Sequence, residues 1–234
     1  MIPSIFHLTA PTKSLSWEER QIQARLRKLL PGWEGHLWDD ADNSALMKKV
    51  FPQYAPRFEA IRFGVMKADI ARYAYMHAYG GFYFDTDYKL FKPISGELMQ
   101  QNCVLPIEEG VVGSADFKLG NAVFGSAQGH PLWAAFIDHL FTQRAPDELE
   151  DHRAIPGLSG PRGLTVFYLE NQDRFTDVVF PSRNEFHPDR TWGGISHRGG
   201  EQAFGSHLCW ASWRGKSMRR AVTNYIRRKV SAPL

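Results

Sequence analysis

Short apolar runs alternate with segments of helical periodicity in the first fifty residues of the chain. This pattern predicts elements in the order strand, helix, strand, helix. Residues 2–8 (IPSIFHL) predict a first strand, and residues 17–30 predict a helix behind Ser16, a favoured N-cap residue. Residues 36–38 predict a second strand, followed by a helix that begins at residue 43 or 44 and ends at residue 50. Because such an order favours right-handed crossovers, we expect an α/β fold with a mostly parallel central sheet flanked by helices.

The remainder of the chain continues this pattern with shorter elements. Further strands are predicted over residues 88–91, 103–107, 178–180 and 207–211, and further helices over residues 132–142 and 162–170. The polar segment 144–160, which contains Pro, Asp and Gly, is the best candidate for a mobile loop. Since no repeat or shift in composition marks a boundary, the 234 residues are predicted to form one domain, 1–234.

One helix, predicted over residues 63–79, carries charge on its apolar side. Asp69 lies in the middle of the apolar arc and Arg72 lies at its edge. A carboxylate there is costly unless it is paired or faces a cavity. Two interpretations follow: a salt bridge between Asp69 and Arg72 buried at the rim, or two side chains that face a functional cleft. The arc itself consists of Val65, Met66, Ile70, Tyr73 and Met76.

Two carboxylates follow the next predicted strand. The Gly80-Gly81 pair ends the helix, residues 82–84 (FYF) have the character of a buried strand, and Asp85 and Asp87 come at its carboxyl end. Open α/β sheets place their ligands at that end of the strands. Two oxygen ligands on one turn suit Mg2+ or Mn2+, although Asp is also a common turn residue.

Five segments in order along the chain resemble the signature of glycosyltransferase family 32. The family comprises DxD-motif sugar transferases related to fungal initiating mannosyltransferases and bacterial capsular polysaccharide glycosyltransferases. The resemblance implies one GT-A type nucleotide-sugar-binding domain. It also implies metal-dependent, retaining transfer of a hexose from a UDP- or GDP-linked sugar to a saccharide, lipid-linked or protein acceptor. The matching segments are IPSIFH at 2–7, WDD at 38–40, KADIARY at 67–73, YGGFYFDTD at 79–87 and the spacing of His207, Ser212 and Trp213.

The same resemblance implies a metal site for Mn2+ or Mg2+. Its ligands would be Asp85, Asp87 and His207, with Asp87 binding the ion directly and Asp85 reaching the ribose or a metal-bound water. Imidazole suits Mn2+, but a lone histidine is more often a hydrogen-bonded core residue. The His207 assignment therefore depends on the resemblance.

The donor nucleotide sugar would be bound by residues from both ends of the chain. The backbone of residues 6–9, which include His7 and Leu8, would form the rim that binds the base, while Ser212 and Trp213 would donate hydrogen bonds to the diphosphate. Asn121 would contact the sugar or the acceptor, or would only form a turn. Further residues assigned to the donor by the resemblance are Asp69, Arg72 and Asp85.

The net charge of +3 is unevenly distributed. Residues 213–230 carry seven Arg or Lys and no acid, and a basic helix is predicted over about 215–230. This helix either packs on the sheet with its basic face in solvent or contacts anionic lipid headgroups. No motif for binding nucleic acid is present in the sequence. The start of the chain lacks the features of a signal peptide, no apolar run is long enough to span a bilayer, and Cys103 and Cys209 are predicted to be reduced. We therefore expect a cytoplasmic protein, with the inner face of the membrane as a peripheral contact.

Two other functions remain open at this level. A metal-dependent phosphohydrolase or nucleotidyltransferase also uses clustered aspartates, but the charged helix would then have no role. A degenerate transferase that only binds a sugar or a lipid would lack catalytic power despite the same fold.

Overall fold

The computed structural model describes residues 1–188 and 201–210 of the chain. The strands are β1 (Ile5–Thr9), β2 (Glu34–Trp38), β3 (Gly81–Phe84), β4 (Tyr88–Leu90), β5 (Cys103–Val104), β6 (Ile107–Glu109), β7 (Lys118–Leu119), β8 (Val123–Ser126), β9 (Val178–Val179) and β10 (Gly205–His207). The α-helices are α1 (Trp17–Leu29), α2 (Asp40–Val50), α3 (Ala55–Ala60), α4 (Gly64–Ala78), α5 (Gly96–Met99), α6 (Pro131–Gln143), α7 (Ile155–Leu158), α8 (Pro161–Glu170) and α9 (Arg183–Phe186). Short 3-10 turns cover Pro146–Glu148, His152–Ala154 and Gln172–Arg174.

A six-stranded sheet in the order β2-β1-β3-β8-β5-β9 forms the centre of the molecule. β1 pairs in parallel with β2 and β3, and β5 pairs in parallel with β9, so the α/β fold with a mostly parallel sheet is confirmed. β8 runs antiparallel to both β3 and β5. The chain reaches β8 from β5 without a helix, and antiparallel neighbours need no helical crossover. Two antiparallel pairs, β4 with β10 and β6 with β7, lie outside this sheet.

Strand β3 divides the core between the two faces of the sheet. Phe82 and Phe84 pack into a cluster with Phe6 and Leu26, while Tyr83 packs on the opposite face against α4 and α6. This alternation follows from the two-residue period of a strand. Both faces are covered, which explains why β3 reads as a continuous aromatic run rather than an alternating one.

Helix α2 begins earlier than the sequence pattern predicted. The side chain of Asp39 accepts a hydrogen bond from the N–H of Asp42 at 2.9 Å. The side chain of Asp42 in turn accepts one from the N–H of Asp39 at 3.2 Å. This capping box satisfies N–H groups at the helix start, so α2 begins at Asp40 instead of residue 43 or 44. Asp39 therefore has a structural role as the N-cap.

The segment predicted to be a mobile loop is largely structured. Residues 144–160 contain two 3-10 turns and α7, and they include Ser159, which is fully buried. The segment was misread because its polar residues face outward, while Ile155 and Leu158 are buried in the core cluster.

Two strand predictions also require correction. The strand predicted over residues 103–107 is interrupted by Pro106, which has no N–H to donate to a ladder, so β5 ends at Val104 and β6 starts at Ile107. β10 ends at His207, where a strand was predicted to begin, because the chain turns at Cys209 with a φ of +51°. Ser212, Trp213 and the basic helix predicted over 215–230 lie outside the described residues. No helix within the described ranges has the length and apolar character needed to cross a bilayer.

The turn that joins α4 to β3 depends on two glycines. Gly80 and Gly81 have φ values of +66° and +94°, in the left-handed region that side chains disfavour. A Cβ at Gly81 would lie 2.4 Å from the carbonyl oxygen of Ile5, on the neighbouring strand. The close packing of α4, β3 and β1 therefore excludes any larger residue at this turn.

We predict that Gly81→Ala lowers the free energy of unfolding by at least about 2 kcal/mol, from backbone strain and the contact with Ile5. Urea denaturation measures this quantity. The control is Gly96→Ala, where a Cβ would meet nothing within 4 Å and φ is unexceptional. The control is expected to change the same free energy by about 1 kcal/mol or less. Equal effects of the two substitutions would contradict the prediction.

Candidate active site

A cavity of about 1090 Å³ opens at the carboxyl ends of β1 and β3. Thr9 and the loop after it form one wall, the face of α4 that carries Asp69 and Arg72 forms a second, and residues 153–158 form part of a third. Parallel strands of an open sheet end together at such a crevice, because their loops diverge there. The cavity also contains Asp85, Asp87, Asn121 and His207, as the sequence predicted.

An acidic cluster lies at one end of the cavity. A carboxylate oxygen of Asp85, a carboxylate oxygen of Asp87 and a ring nitrogen of His207 all lie within 4.8 Å of one another. His207 Nε2 is 3.0 Å from Asp87 Oδ1 and 3.6 Å from Asp85 Oδ2. Asp85 and Asp87 follow β3, and His207 is the last residue of β10, 120 residues after Asp87. The fold thus brings together side chains that are far apart in the sequence.

Backbone hydrogen bonds hold Asp87 in this cluster. β10 pairs with β4 so that His207 lies opposite Tyr88, the residue after Asp87. The N–H of Leu208 then donates to the carbonyl of Asp87 at 2.9 Å, and the N–H of Trp210 donates to Asp87 Oδ2 at 2.8 Å. The left-handed turn at Cys209 lies between these two donors. Sequence reasoning missed this contribution of Trp210, because a backbone N–H leaves no residue-specific signal.

The charges of Asp85, Asp87 and His207 shift one another's pKa values. Burial alone would raise the pKa of Asp87, but the imidazolium of His207 and its hydrogen bond hold that pKa below its usual value. Burial raises the pKa of Asp85, against the opposing charge of Arg72. Burial alone would lower the pKa of His207, but the Asp87 carboxylate raises it well above 6.5. In the protein alone, His207 is therefore a protonated partner of Asp87.

This donor set fits a divalent ion. Carboxylate oxygens suit Mg2+ and Mn2+, and an imidazole adds a preference for Mn2+ over Mg2+. The three ligand atoms lie within 4.8 Å of one another, near enough for a small shift of the side chains to bring them all onto one ion. A ligating imidazole must be neutral, so His207 would release its proton on binding.

Arg72 connects the acidic cluster to α4. Its guanidinium lies 3.2 Å from Asp69 Oδ1 and 3.2 Å from Asp85 Oδ1, and it donates to the carbonyl of Asn121 at 2.7 Å. The guanidinium carbon lies 4.6 Å from the centre of the Tyr83 ring. Geometrically, the two interpretations of the charged helix are compatible, because Asp69 and Arg72 form a buried salt bridge and both side chains line the cavity. A functional role for the pair stays a prediction.

Asp69 accepts hydrogen bonds from two side chains in addition to its ion pair with Arg72. Asn121 Nδ2 donates to Asp69 Oδ1 at 3.2 Å, and Ser159 Oγ donates to Asp69 Oδ2 at 2.9 Å. Tyr73 donates in turn to the carbonyl of Ser159 at 2.7 Å. Burial raises the pKa of Asp69 to about 6, while Arg72, Ser159 and Asn121 oppose that rise. Ser159 was not predicted, because a single serine in a polar segment carries no periodic or motif signal.

His7 and Leu8 lie away from the cavity, so their predicted part in a base-binding rim requires correction. His7 Nε2 lies 2.8 Å from the carbonyl of Gly80, and Trp38 Nε1 donates to His7 Nδ1 at 3.1 Å. Burial lowers the pKa of His7 to about 3, so this ring is a neutral core residue. Leu8 is also buried, and the wall formed by this strand begins at Thr9. Strand pairing on both sides of β1 explains why residues 7 and 8 are enclosed.

Comparison with known sequences agrees with this geometry. Residues 16–105 match the sequence profile described as the glycosyltransferase sugar-binding region containing a DXD motif. The matched stretch includes α4, β3, Asp85 and Asp87. Over this stretch, the chain is similar to glycosyltransferases that contain a DXD motif.

Two proteins of Schizosaccharomyces pombe are similar to this chain. Inositol phosphoceramide mannosyltransferase 2 is 29% identical over 140 residues, which cover 60% of this chain and 39% of the relative. Inositol phosphoceramide mannosyltransferase 1 is 25% identical over 186 residues, which cover 79% of this chain and 52% of the relative. The present chain thus spans about two fifths to one half of the length of these relatives.

A solved structure shares the fold. The PaToxG glycosyltransferase superposes with a TM-score of 0.57 at 14% identity, over 73% of this chain and 70% of that chain. The architecture is thus of the GT-A type, as the sequence predicted.

We predict that Ser159→Ala raises the pKa of Asp69 further above its value of about 6, because the carboxylate loses one hydrogen-bond donor while remaining buried. The pKa is read directly from a carbon-13 NMR titration of the aspartate carboxyl groups. Ser126→Ala is the matched control: Ser126 is also fully buried and hydrogen-bonded, but to Trp133. Both variants should lose stability, and only the first should move the Asp69 titration. Equal titrations in the two variants would show that Ser159 does not act on Asp69.

Proposed function

We propose that this protein is a glycosyltransferase that transfers a hexose from a UDP- or GDP-linked sugar, with Mn2+ or Mg2+ at the cluster of Asp85, Asp87 and His207. The observation that carries the proposal is the contact of this cluster with the Arg72–Asp69 pair in one cavity. A bound divalent ion supplies positive charge to the diphosphate as it leaves. Arg72 adds a second, permanent charge 3.2 Å from Asp85.

The sugar ring of the donor would lie on the Asp69 side of Arg72. An ionised Asp69 accepts hydrogen bonds from sugar hydroxyls, and Asn121 and Ser159 fix the orientation of its carboxylate. Asn121 has a second role in this proposal, since its carbonyl accepts from Arg72 while its amide donates to Asp69. Trp213 and Ser212 remain candidates for contact with the diphosphate.

We propose retention of the anomeric configuration without a covalent glycosyl intermediate. A nucleophilic carboxylate needs a free, basic oxygen at the anomeric carbon. Tyr83 donates to Asp85 Oδ1 at 2.6 Å, and Arg72 contacts both Asp69 and Asp85. These contacts reduce the nucleophilicity of both carboxylates. A departing phosphate that accepts the proton of the attacking hydroxyl satisfies the same stereochemistry.

The acceptor would be a saccharide, a lipid-linked group or a protein side chain. Of these, we favour the lipid-linked acceptor, because the fungal relatives are named inositol phosphoceramide mannosyltransferases. We also propose a cytoplasmic location with peripheral contact to the inner face of the membrane. The seven basic residues within 213–230, without an acid, support attraction to anionic lipid.

The alternatives from other classes have less support. Among the described residues, the metal cluster has two carboxylates, whereas two-metal phosphoryl-transfer sites need enough acidic ligands for both ions. Such an enzyme would also leave Asp69 and its three partners without a role. A sugar-binding protein without activity would keep the donor site, so turnover must be measured directly.

The donor is tested with a panel of UDP- and GDP-linked sugars, each with and without Mn2+. We expect one base to raise the unfolding temperature in an Mn2+-dependent manner, because a ligand that binds the folded state stabilises it by mass action. The same nucleotide sugar should be hydrolysed slowly in the absence of acceptor. Binding without hydrolysis or transfer would favour the non-catalytic protein, and no Mn2+-dependent binding of either base would refute the proposal.

We predict that Asp87→Asn lowers sugar transfer by at least about 100-fold and abolishes Mn2+-dependent nucleotide binding, since one ligand oxygen is lost from the ion. Calorimetric titration of Mn2+ in the presence of nucleoside diphosphate measures the binding separately from turnover. Asp173→Asn is the control, because Asp173 is exposed and lies outside the cavity. Unchanged turnover in Asp87→Asn would exclude the assigned metal role.

A further inference from the structure

A cysteine beside the candidate metal site has a backbone conformation that favours glycine. Cys209 has a φ of +51°, in the left-handed region, where a Cβ is disfavoured. The backbone alone would therefore favour glycine at this position. The residue also lines the cavity, and strained backbone of this kind is concentrated at functional sites. We therefore asked what the side chain of Cys209 contacts.

The thiol of Cys209 contacts a single histidine at two points. Cys209 Sγ lies 3.5 Å from His207 Nδ1, within the range of hydrogen bonds that involve sulfur. The S–H group donates to the carbonyl oxygen of His207, which lies 3.6 Å from Sγ. The lone pairs of the sulfur thus remain free to accept a hydrogen bond from the ring. The thiol thereby connects the backbone of His207 to the imidazole of the same residue.

The two ring nitrogens of His207 have different neighbours. Nε2 lies 3.0 Å from Asp87 and 3.6 Å from Asp85, so it is the nitrogen that would bind an ion between these carboxylates. A neutral imidazole that binds through Nε2 carries its remaining hydrogen on Nδ1. Among the described residues, the group that meets Nδ1 is Cys209 Sγ. The thiol therefore lies where an acceptor for that hydrogen is needed.

The structure does not place Cys209 among the metal ligands themselves. The ligand atoms that lie within 4.8 Å of one another come from Asp85, Asp87 and His207, and Cys209 is outside this group. Its contact is with Nδ1, whereas the carboxylates contact Nε2. A metal-binding histidine generally donates its second N–H to a neighbouring group, which fixes the orientation and the tautomer of the ring. Cys209 occupies the position of that neighbouring group.

We propose that Cys209 is a positioning residue, which orients the imidazole of His207 toward a divalent ion by accepting a hydrogen bond from Nδ1. Without this acceptor the ring turns more freely about its side-chain bonds, and Nε2 is held less firmly beside Asp87. This inference rests on the proposed function, because it concerns the metal site of the same transfer. The thiol acts on the imidazole and leaves the carboxylates unchanged.

The test compares two substitutions on the same strained backbone. Cys209→Ala removes the acceptor, and Cys209→Ser supplies a hydroxyl that also accepts a hydrogen bond. Mn2+ and Mg2+ are titrated by calorimetry in the presence of the nucleoside diphosphate selected by the donor panel. Because imidazole favours Mn2+ over Mg2+, we expect Cys209→Ala to weaken Mn2+ binding about tenfold and Mg2+ binding by no more than about twofold. Cys209→Ser should bind Mn2+ within about threefold of the unsubstituted protein.

The comparison of the two ions separates positioning of the ring from a structural effect on the turn. The N–H groups of Leu208 and Trp210, on either side of Cys209, both donate to Asp87. A general disturbance of this turn would therefore weaken the binding of Mn2+ and Mg2+ alike. Equal losses for the two ions would overturn the inference. Equal Mn2+ affinities of the Cys209→Ala and Cys209→Ser variants would also overturn it.

A double-mutant cycle tests whether the thiol acts through the imidazole. In the His207→Ala background, the two carboxylates and the diphosphate still bind the ion, and Cys209→Ala should cause no further loss of Mn2+ affinity. A further loss of the same size as in the unsubstituted protein would contradict the inference. Replacement of Mn2+ by Co2+ gives a second measurement, because direct binding of the sulfur to Co2+ produces a charge-transfer absorption band. Such a band would make Cys209 a metal ligand and would overturn the positioning role.

The matched control is Cys103→Ala, which removes the other thiol of the chain. Cys103 lies in β5, is fully buried and does not line the cavity, so Mn2+ affinity should not change. Normal Mn2+ binding by the unsubstituted protein that is also unaffected by Cys209→Ala would refute this inference alone. Failure of the unsubstituted protein to bind Mn2+ with the nucleotide would refute the proposed metal site, and this inference with it.

Discussion

The guanidinium of Arg72, placed between Asp69 and Asp85, is the interaction on which the site depends. Two carboxylates from different elements approach the same buried place, and burial alone would drive both toward the neutral acid. Arginine cannot release its proton in a protein, so its charge opposes that change permanently. Replacing it with a neutral residue would leave two buried acids without a counter-charge, which is far more costly than losing an exposed ion pair.

The position of Arg72 is set by the backbone turn that follows its helix. Gly80 and Gly81 reverse the chain so that α4 packs beside β3, the strand that ends at Asp85. Tyr83 contributes from the same strand: its ring lies against the guanidinium and its hydroxyl donates to Asp85. A local sequence of about twenty residues thus builds the helix, the turn, the strand and the central ion pairs of the site.

This locality explains how much the sequence could predict. The order of the elements, the charged helix and the Asp85–Asp87 pair follow from periodicity and spacing, while His207 was reached only through the family resemblance. Ser159 and the N–H of Trp210 escaped prediction, because they reach Asp69 and Asp87 across 90 and 123 residues of chain. His7 was misplaced for a related reason: its polar atoms bind Gly80 and Trp38, and neither contact is visible from its own segment.

The long-range contact of Ser159 with Asp69 has a mechanical consequence. Ser159 lies near the end of the segment 144–160, is fully buried, and binds α4 twice, through its hydroxyl to Asp69 and through its carbonyl to Tyr73. A displacement of that segment would break a hydrogen bond to Asp69 and so raise the pKa of a carboxylate already near 6. The ionisation of Asp69 therefore depends on where the segment 144–160 lies, through the hydroxyl of one buried serine.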